Sequence, residues 1–385
     1  MDDWYQALNS NIVMNKYTFL QIFVLLLFSV TFMTSCQTDN SKKTKVYSSI
    51  QYAKGFSIVR NGDVSTLTIY SPYQNAKTVA RFDFSVKKSE KTIQTPIKRI
   101  VVTSTTHVPM LELLGEENSI IGFPSTGFVS SNKTRKRIDS GFIKEIGIKG
   151  SLNTEILLDL KPEAIVSYAV NSPEKSLNVL KRAGIPIIYN GDWLEESPLG
   201  KAEWIKFFGL LFAKEKQADS IFTAIEKDYL EAISLAKSAN LNPSIVSGAI
   251  MSGEIWNLPA GESYVAQFLK DANTNYLWQN TTGKGSLQLS FERVFEKAKS
   301  AKFWIAPGYF SSKNQMVSSN KLYAEFDAFK NDNIYTPTTK SGPTGGVLYY
   351  ELATIRPDLV LKDLIKITHP ELLPDYELTF FEKLK

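Results

Sequence analysis

Two glutamates hold matching positions in two similar segments of the sequence. In LNTEILLDLKPEAIVSY (152–168), Asn153 can cap a short helix whose first turn contains Glu155, and a buried strand follows. The segment LSFERVFEKAKSAKFWI (289–305) repeats this order, with Ser290 as the cap and Glu292 in the first turn. An acidic residue near a helix N-terminus is mildly favourable by itself. Its recurrence in both halves of the chain indicates a paired surface feature.

Hydroxyl and aromatic side chains follow several predicted strands, at the strand ends where open α/β sheets bind ligands. The candidate ligand-binding residues are Thr106, His107, Tyr168, Trp193, Trp256, Tyr309 and Tyr349. The helix after Thr106 could also present free N–H groups to an anion. Bulky aromatic residues can equally plug the edge of a lobe, but the whole set favours a cleft lining.

Catalytic and metal-binding motifs are missing from the sequence. It has two histidines and one cysteine, and it lacks H-E-x-x-H, G-x-S-x-G, P-loop and G-x-G-x-x-G patterns. Zinc sites use several His or Cys ligands. We therefore expect a binding protein rather than an enzyme, with no cofactor and no metal site.

Charge is spread evenly along the chain. The net charge is +5, and lysines alternate with glutamates along the predicted helices, so no basic stripe predicts nucleic-acid binding. The densest basic run, NKTRKR (132–137), is predicted to be a solvated loop.

The N-terminal segment has the layout of a secretory signal. Lys16 precedes an apolar core (19–33), and Ser35 comes directly before Cys36, the single cysteine. The segment resembles the lipobox of bacterial lipoproteins, which implies that Cys36 becomes a lipidated N-terminus in the cell envelope. A transmembrane anchor is the alternative, although the stretch is short for a span. Met14 is an alternative start, because the acidic residues before it do not fit a signal.

These features require an α/β fold with two parallel-sheet lobes, a long backbone helix and an extra N-terminal β-hairpin region. Strands separated by helices of about ten residues predict parallel βαβ units. A helical pattern from Lys214 to Ser238 predicts the helix that joins the lobes. The predicted boundaries are a signal peptide with lipobox (1–36), a tether and hairpin (37–95), an N-terminal lobe (96–197), a helical linker (198–240) and a C-terminal lobe (241–385).

From residue 96 onwards the sequence resembles the cobalamin and iron-complex class of ABC-transporter substrate-binding proteins. The resemblance is carried, in order, by PIKRIVVTSTTHVPMLELLG, EILLDLKPEAIVSY, RAGIPIIY, AGESYVAQFLKDA, LSFERVFEKAKSAKFWI and RPDLVLKDLIKITHPELL. It implies that Glu155 and Glu292 dock onto arginines of the membrane permease, which works with its ATPase. It also implies that Tyr168 is a ligand-stacking aromatic, and we expect a monomer.

The resemblance implies a ferric siderophore, haem or cobalamin as the ligand. An iron complex is favoured, because ferric catecholates and hydroxamates require aromatic residues and a few cations, which the basic run 132–137 could supply. Haem would favour His107 or Tyr168 as an axial ligand, whereas His369 matches a scaffold position. A structural or adhesion lipoprotein with the same fold is the rival from another class, and the two glutamates argue against it.

Overall fold

The computed structural model describes residues 50–148, 150–252 and 254–385. The predicted signal segment and Cys36 lie outside these ranges. Within them, no helix is long and apolar enough to cross a membrane.

The strands are β1 (Phe56–Asn61), β2 (Val64–Ile69), β3 (Ala80–Ser85), β4 (Ile93–Gln94), β5 (Ile100–Val102), β6 (Ile120–Phe123), β7 (Lys144–Glu145), β8 (Gly147–Ile148), β9 (Ser151–Leu152), β10 (Ala164–Ser167), β11 (Ile187–Tyr189), β12 (Ser244–Ser247), β13 (Ala249–Ser252), β14 (Ile255–Pro259), β15 (Asn275–Tyr276), β16 (Ser286–Ser290), β17 (Phe303–Ile305), β18 (Ile334–Thr336) and β19 (Glu382–Lys383). The α-helices are α1 (His107–Leu113), α2 (Asn132–Asp139), α3 (Thr154–Leu160), α4 (Leu177–Arg182), α5 (Pro198–Ala202), α6 (Ile205–Leu211), α7 (Glu215–Ala236), α8 (Tyr264–Asp271), α9 (Phe291–Ala298), α10 (Lys313–Ser319), α11 (Asp327–Lys330), α12 (Leu348–Leu352) and α13 (Pro357–Thr368).

The N-terminal extension is a four-stranded sheet in the order β1-β2-β3-β4. The predicted hairpin is its first part, where β1 and β2 pair antiparallel around a turn in which Gly62 has a φ of 62°. That left-handed conformation suits glycine, which has no Cβ to clash. Alternate side chains, including Phe56 and Leu67, are buried against the aromatic residues of α6.

The sheets of the two lobes share the order of four strands, β6-β5-β10-β11 in one and β15-β12-β17-β18 in the other, and each has one further strand at an edge. The N-terminal lobe has the parallel order β11-β10-β5-β6-β7, and the C-terminal lobe has β15-β12-β17-β18-β19, in which only β19 is antiparallel. In both lobes the first strand (β5 or β12) lies between the second strand and the strand that follows the glutamate-bearing helix. The short β-branched strands are buried, as is typical of sheets covered on both faces.

The helix α7 joins the two lobes and runs for 22 residues. Its apolar face, spaced every three or four residues, is buried through Ala218, Phe222, Ile225 and Tyr229. Phe222 packs in the N-terminal core and Tyr229 in the C-terminal core. The α/β fold class with a long connecting helix is therefore confirmed.

The basic run 132–137 is a helix, so the prediction of a loop there was wrong. Ser131 caps α2 and accepts hydrogen bonds from the N–H groups of Lys133 and Thr134. Arg135 is buried and donates to the carbonyl of Thr126 and to Asp139. The run of charged residues is therefore a helix, and the hydrogen bonds of Arg135 hold its buried face in place.

Candidate functional site

A recess of about 180 Å³ lies between the two lobes. Thr106, Asp192 and Trp193 line it from the N-terminal lobe, and Tyr264 and Tyr349 are among the residues that line it from the other side. A second, more apolar cavity of about 360 Å³ adjoins it in the C-terminal lobe. The two cavities share Tyr264, Phe268, Tyr349 and Tyr350 in their walls.

The N-terminal wall is formed by the loops after β5 and β11. Thr106 ends the first loop, and its hydroxyl donates a hydrogen bond of 2.9 Å to the carboxylate of Asp192 in the second. The side chain of Asn190 accepts from the N–H of Asp192 at 2.8 Å and fixes the turn. Trp193 follows, and its indole N–H has no acceptor among the described residues.

Three tyrosines of the C-terminal lobe form a row, in which Tyr349 and Tyr350 line both cavities and Tyr309 lines neither. The ring centroids of Tyr309 and Tyr350 are 6.2 Å apart, and those of Tyr350 and Tyr349 are 5.7 Å apart. Burial raises the pKa of both Tyr349 and Tyr350. These phenols therefore stay protonated near neutral pH and can act as hydrogen-bond donors.

Trp256 does not line the cleft, so its prediction as a ligand contact was wrong. The side chain is 0% exposed, and its ring stacks on Trp304 with the centroids 5.1 Å apart. Its indole N–H donates to the carbonyl of Ser247 at 3.0 Å. Both the face and the polar edge of the ring are therefore used inside the C-terminal core.

His107 was also predicted wrongly as a ligand contact. It begins α1, but its ring is 0% exposed and packs beside Phe208 at 5.5 Å between centroids. Neither ring nitrogen has a hydrogen-bond partner among the described residues. Burial lowers the pKa of His107 to about 4, against a partial opposing effect of Asp192, so the imidazole stays neutral inside the lobe.

Tyr168 is half-buried immediately after β10. It is not among the residues that line either of the two cavities. Its role as a stacking aromatic remains a proposal.

Several cleft residues were missed by the sequence analysis. They are Lys201, Asp192, Tyr264 and Tyr350. Lys201 and Tyr264 belong to helices rather than to strand ends, so a search of loops after strands could not find them. Tyr350 could have been predicted, because it is next in the sequence to Tyr349, which was a candidate ligand-binding residue.

A glycine-containing loop, 341–346, ties the C-terminal part of the chain to the other lobe. Ser130 donates its hydroxyl hydrogen to the carbonyl of Gly346 at 2.8 Å, and Thr344 donates to the carbonyl of Gly127 at 2.7 Å. The buried carboxylate of Glu351, on α12, accepts the backbone N–H groups of Ser130 and Ser131. The helix that presents Tyr349 to the cleft is therefore fastened to the opposite wall.

The two predicted docking glutamates are exposed, one in each lobe. Glu155 is in the first turn of α3, where Asn153 accepts N–H bonds of 3.0 and 3.1 Å, and Glu292 is in the first turn of α9, which Ser290 caps. Hydrogen bonds from the backbone N–H of Glu292 itself and from the Ser290 hydroxyl lower the pKa of the Glu292 carboxyl. The strands after these helices, β10 and β17, hold the same place in their sheets.

Among the described residues, no group of three or more His, Cys, Asp and Glu side chains could hold a metal ion.

Two α/β lobes joined by one helix, with a lined cleft between them, define a bilobal ligand-binding protein. The chain belongs to the Periplasmic binding protein family, whose pattern matches residues 100–341. This family comprises substrate-binding proteins that deliver ligands to ABC permeases. The predicted family is therefore confirmed.

Relatives and solved structures are similar to much of this chain. An uncharacterized lipoprotein of Methanocaldococcus jannaschii is 27% identical over 76% of this chain and 70% of its own length. A possible iron-binding (periplasmic solute-binding) protein from Staphylococcus epidermidis has a TM-score of 0.54 at 18% identity, covering 71% of this chain and all of that one. A periplasmic heme-binding protein of Pseudomonas aeruginosa has a TM-score of 0.54 at 15% identity, covering 75% and 98%. At these identities the solved structures show the shared fold.

Proposed function

We propose that this protein is the substrate-binding lipoprotein of a bacterial ABC importer and captures an iron complex, either a ferric siderophore or haem, between its lobes. The observation that carries this proposal is the recess walled by Trp193 on one side and by Tyr264, Tyr349 and Tyr350 on the other. Ligand pockets are typically concave and rich in aromatic residues, with a few polar groups that set orientation. The bound complex is then passed to the permease.

An iron complex is supported by the chemistry of the walls and by the relatives. Tyrosines and a tryptophan supply flat apolar faces, which suit a macrocycle or an aryl chelate. Structural neighbours are described as iron-binding and heme-binding. Cobalamin is the alternative ligand, and a structural or adhesion role without transport is the alternative function.

Tryptophan fluorescence tests the proposal directly. Among the described tryptophans, Trp204, Trp256, Trp278 and Trp304 are buried in the cores, and Trp193 alone lines the cleft. We expect haemin or a ferric siderophore to quench the emission of the wild type, with most of the change lost in Trp193→Phe. Quenching by cyanocobalamin alone would favour the alternative ligand. No saturable quenching by any of the three would contradict a transport role.

The lipid anchor at Cys36 is part of the same proposal. Curated relatives are described as lipoproteins, and the apolar run before Ser35-Cys36 fits the processing signal. We expect Cys36→Ala to leave an unprocessed precursor or to release the protein from membranes. Mass spectrometry of the native protein should find no residue upstream of Cys36, and a longer N-terminus would refute the anchor.

A further inference from the structure

A buried lysine, Lys201, forms part of the recess between the lobes. It lies on the short helix α5, which Ser197 caps through the N–H of Gly200, and only 7% of it is exposed. A lysine buried to this extent normally has a carboxylate partner, because an isolated ammonium loses its hydration on burial.

Lys201 has no such partner among the described residues. Its ammonium donates one hydrogen bond, of 3.1 Å, to the backbone carbonyl of Asp192 and lies 4.4 Å from the ring centroid of Tyr264. The carboxylate of Asp192 instead accepts from Thr106. Glu195 is equally occupied, because it accepts from the backbone of Lys54 and Gly55 and from the Trp204 indole.

The neighbouring buried lysine, Lys206, shows the usual arrangement. It is also 7% exposed, and its ammonium pairs with Glu203 at 3.0 Å and with Asp219 at 3.4 Å. Two lysines of equal burial on consecutive helices therefore differ in one respect: the lysine at the cleft lacks an anion.

Another hydrogen-bond donor, on Trp193, belongs to a residue that lines the same recess. The indole N–H of Trp193 has no acceptor among the described residues. An ammonium without a carboxylate partner and an indole N–H without an acceptor, both among the described residues of one recess, are suited to a ligand that brings oxygen acceptors of its own.

We propose that Lys201 is the specificity-determining residue of the cleft and that its ammonium binds an anionic oxygen of the ligand. The preferred ligands are then complexes that carry carboxylates or a net negative charge. This inference rests on the proposed function, since it names the class of complex that the same cleft selects. Burial lowers the pKa of Lys201, against the opposing effects of Asp192 and Glu195, and a bound anion would raise this pKa again.

Two matched pairs of probes test the inference with the full-length protein in detergent. One pair is haemin and haemin dimethyl ester, which share a macrocycle but differ in free carboxylates. The other pair is an anionic ferric tris-catecholate and an uncharged ferric tris-hydroxamate. We expect Lys201→Met to weaken binding of the acidic member of a pair by about tenfold to a hundredfold, as the loss of a charge-assisted hydrogen bond does. Binding of the ester or hydroxamate should weaken much less, so that the preference for the acidic member of each pair is lost.

Further variants separate this role from a structural one. Lys201→Arg should retain most of the affinity for the acidic probe, and Lys206→Met should retain the discrimination between the members of each pair. Melting temperatures establish that each variant is folded, and Lys201→Gln replaces Lys201→Met if that variant unfolds.

The outcomes distinguish this inference from the proposed function. Equal losses for both members of a pair in Lys201→Met, or a wild type that prefers the uncharged members, would overturn the role of Lys201 while leaving transport of an iron complex intact. A wild type that binds none of the four probes would contradict the proposed function, and the inference would fail with it.

Discussion

His107 is a buried imidazole whose protonation should limit stability in acid. Burial keeps its pKa at about 4 in the folded protein, whereas an unfolded histidine titrates near 6.5. The unfolded chain therefore binds more protons between these two values, so the free energy of unfolding falls as the pH drops through this window.

We expect the titration of His107 to lower the free energy of unfolding by about 2 kcal/mol when the pH falls from 7 to 5. His107→Leu should remove that cost and should also stabilise the protein at pH 7, because two unpaired buried nitrogens disappear. Urea unfolding of both proteins at the two pH values measures the difference. A parallel loss of stability in wild type and variant on acidification would show that His107 is not responsible.

At the level of the secondary-structure elements, the carboxylate of Glu203 fastens the N-terminal extension to the helical segment between the lobes. Glu203 is 0% exposed and accepts the backbone N–H groups of Gln51, Tyr52 and Ala53 at 2.7–3.1 Å. It also pairs with Lys206. The extension is thus bound by its backbone, which explains how a segment outside the family pattern becomes part of the core.

We expect Glu203→Ala to destabilise the protein by about 3–5 kcal/mol, because it leaves three backbone N–H groups without their acceptor and removes the nearer carboxylate from the buried Lys206. Glu226→Gln is the control, because among the described residues the carboxylate of Glu226 accepts one hydrogen bond, of 2.6 Å, from the side-chain hydroxyl of Tyr52. It should cost about 1 kcal/mol. Urea unfolding compares them, and similar losses in the two variants would argue against a special role for Glu203.

The loop 341–346 allows a test of whether its hydrogen bonds to the N-terminal lobe restrain the two lobes. A Cβ on Gly346 would lie 2.2 Å from the carbonyl oxygen of Phe128, whereas a Cβ on Gly127 would meet nothing within 4 Å. Gly346→Ala should therefore displace the loop and break the hydrogen bond from Ser130. Loss of one buried hydrogen bond predicts ligand dissociation about tenfold faster.

Stopped-flow dissociation of whichever probe binds provides the measurement, with Gly127→Ala as the control. Unchanged dissociation from Gly346→Ala, in a protein that melts normally, would show that the loop does not restrain the lobes.

At the scale of the whole molecule, Glu155 and Glu292 occupy equivalent places in the two lobes, and we predict that both dock onto permease arginines. As partners of helix dipoles alone they would contribute roughly 0.3–1 kcal/mol each. A buried arginine left unpaired at an interface costs about 2–5 kcal/mol. The double change Glu155→Lys with Glu292→Lys should therefore abolish most uptake and ATPase stimulation, while ligand affinity and melting temperature stay near wild type.

The control reverses two other exposed acids, Glu231→Lys with Glu371→Lys. It changes the net charge equally and should leave transport intact. Normal transport by the Glu155 and Glu292 double variant would show that neither residue docks onto the permease and that both act only at their helix N-termini. Equal impairment by the control would attribute the effect to charge alone.

Features that depend on neighbouring residues could be predicted from the amino-acid sequence. Asn153 and Ser290 cap their helices as predicted, the turn around Gly62 forms the hairpin, and the spacing of Ala218, Phe222 and Ile225 fixes the buried face of α7. Capping, turns and helical periodicity are local, so one segment contains all the information. The ordered segments also sufficed to identify the family.

Whether an aromatic residue lines the cleft or lies in the core of a lobe could not be predicted from the sequence, because it depends on tertiary contacts. Trp193 and Trp256 both follow predicted strands, yet Trp193 lines the cleft and Trp256 stacks on Trp304 in the core. The same holds for Lys201 and Lys206, whose difference lies in partners brought from distant segments. Burial and pairing depend on contacts between residues far apart in the chain, and no local pattern records them.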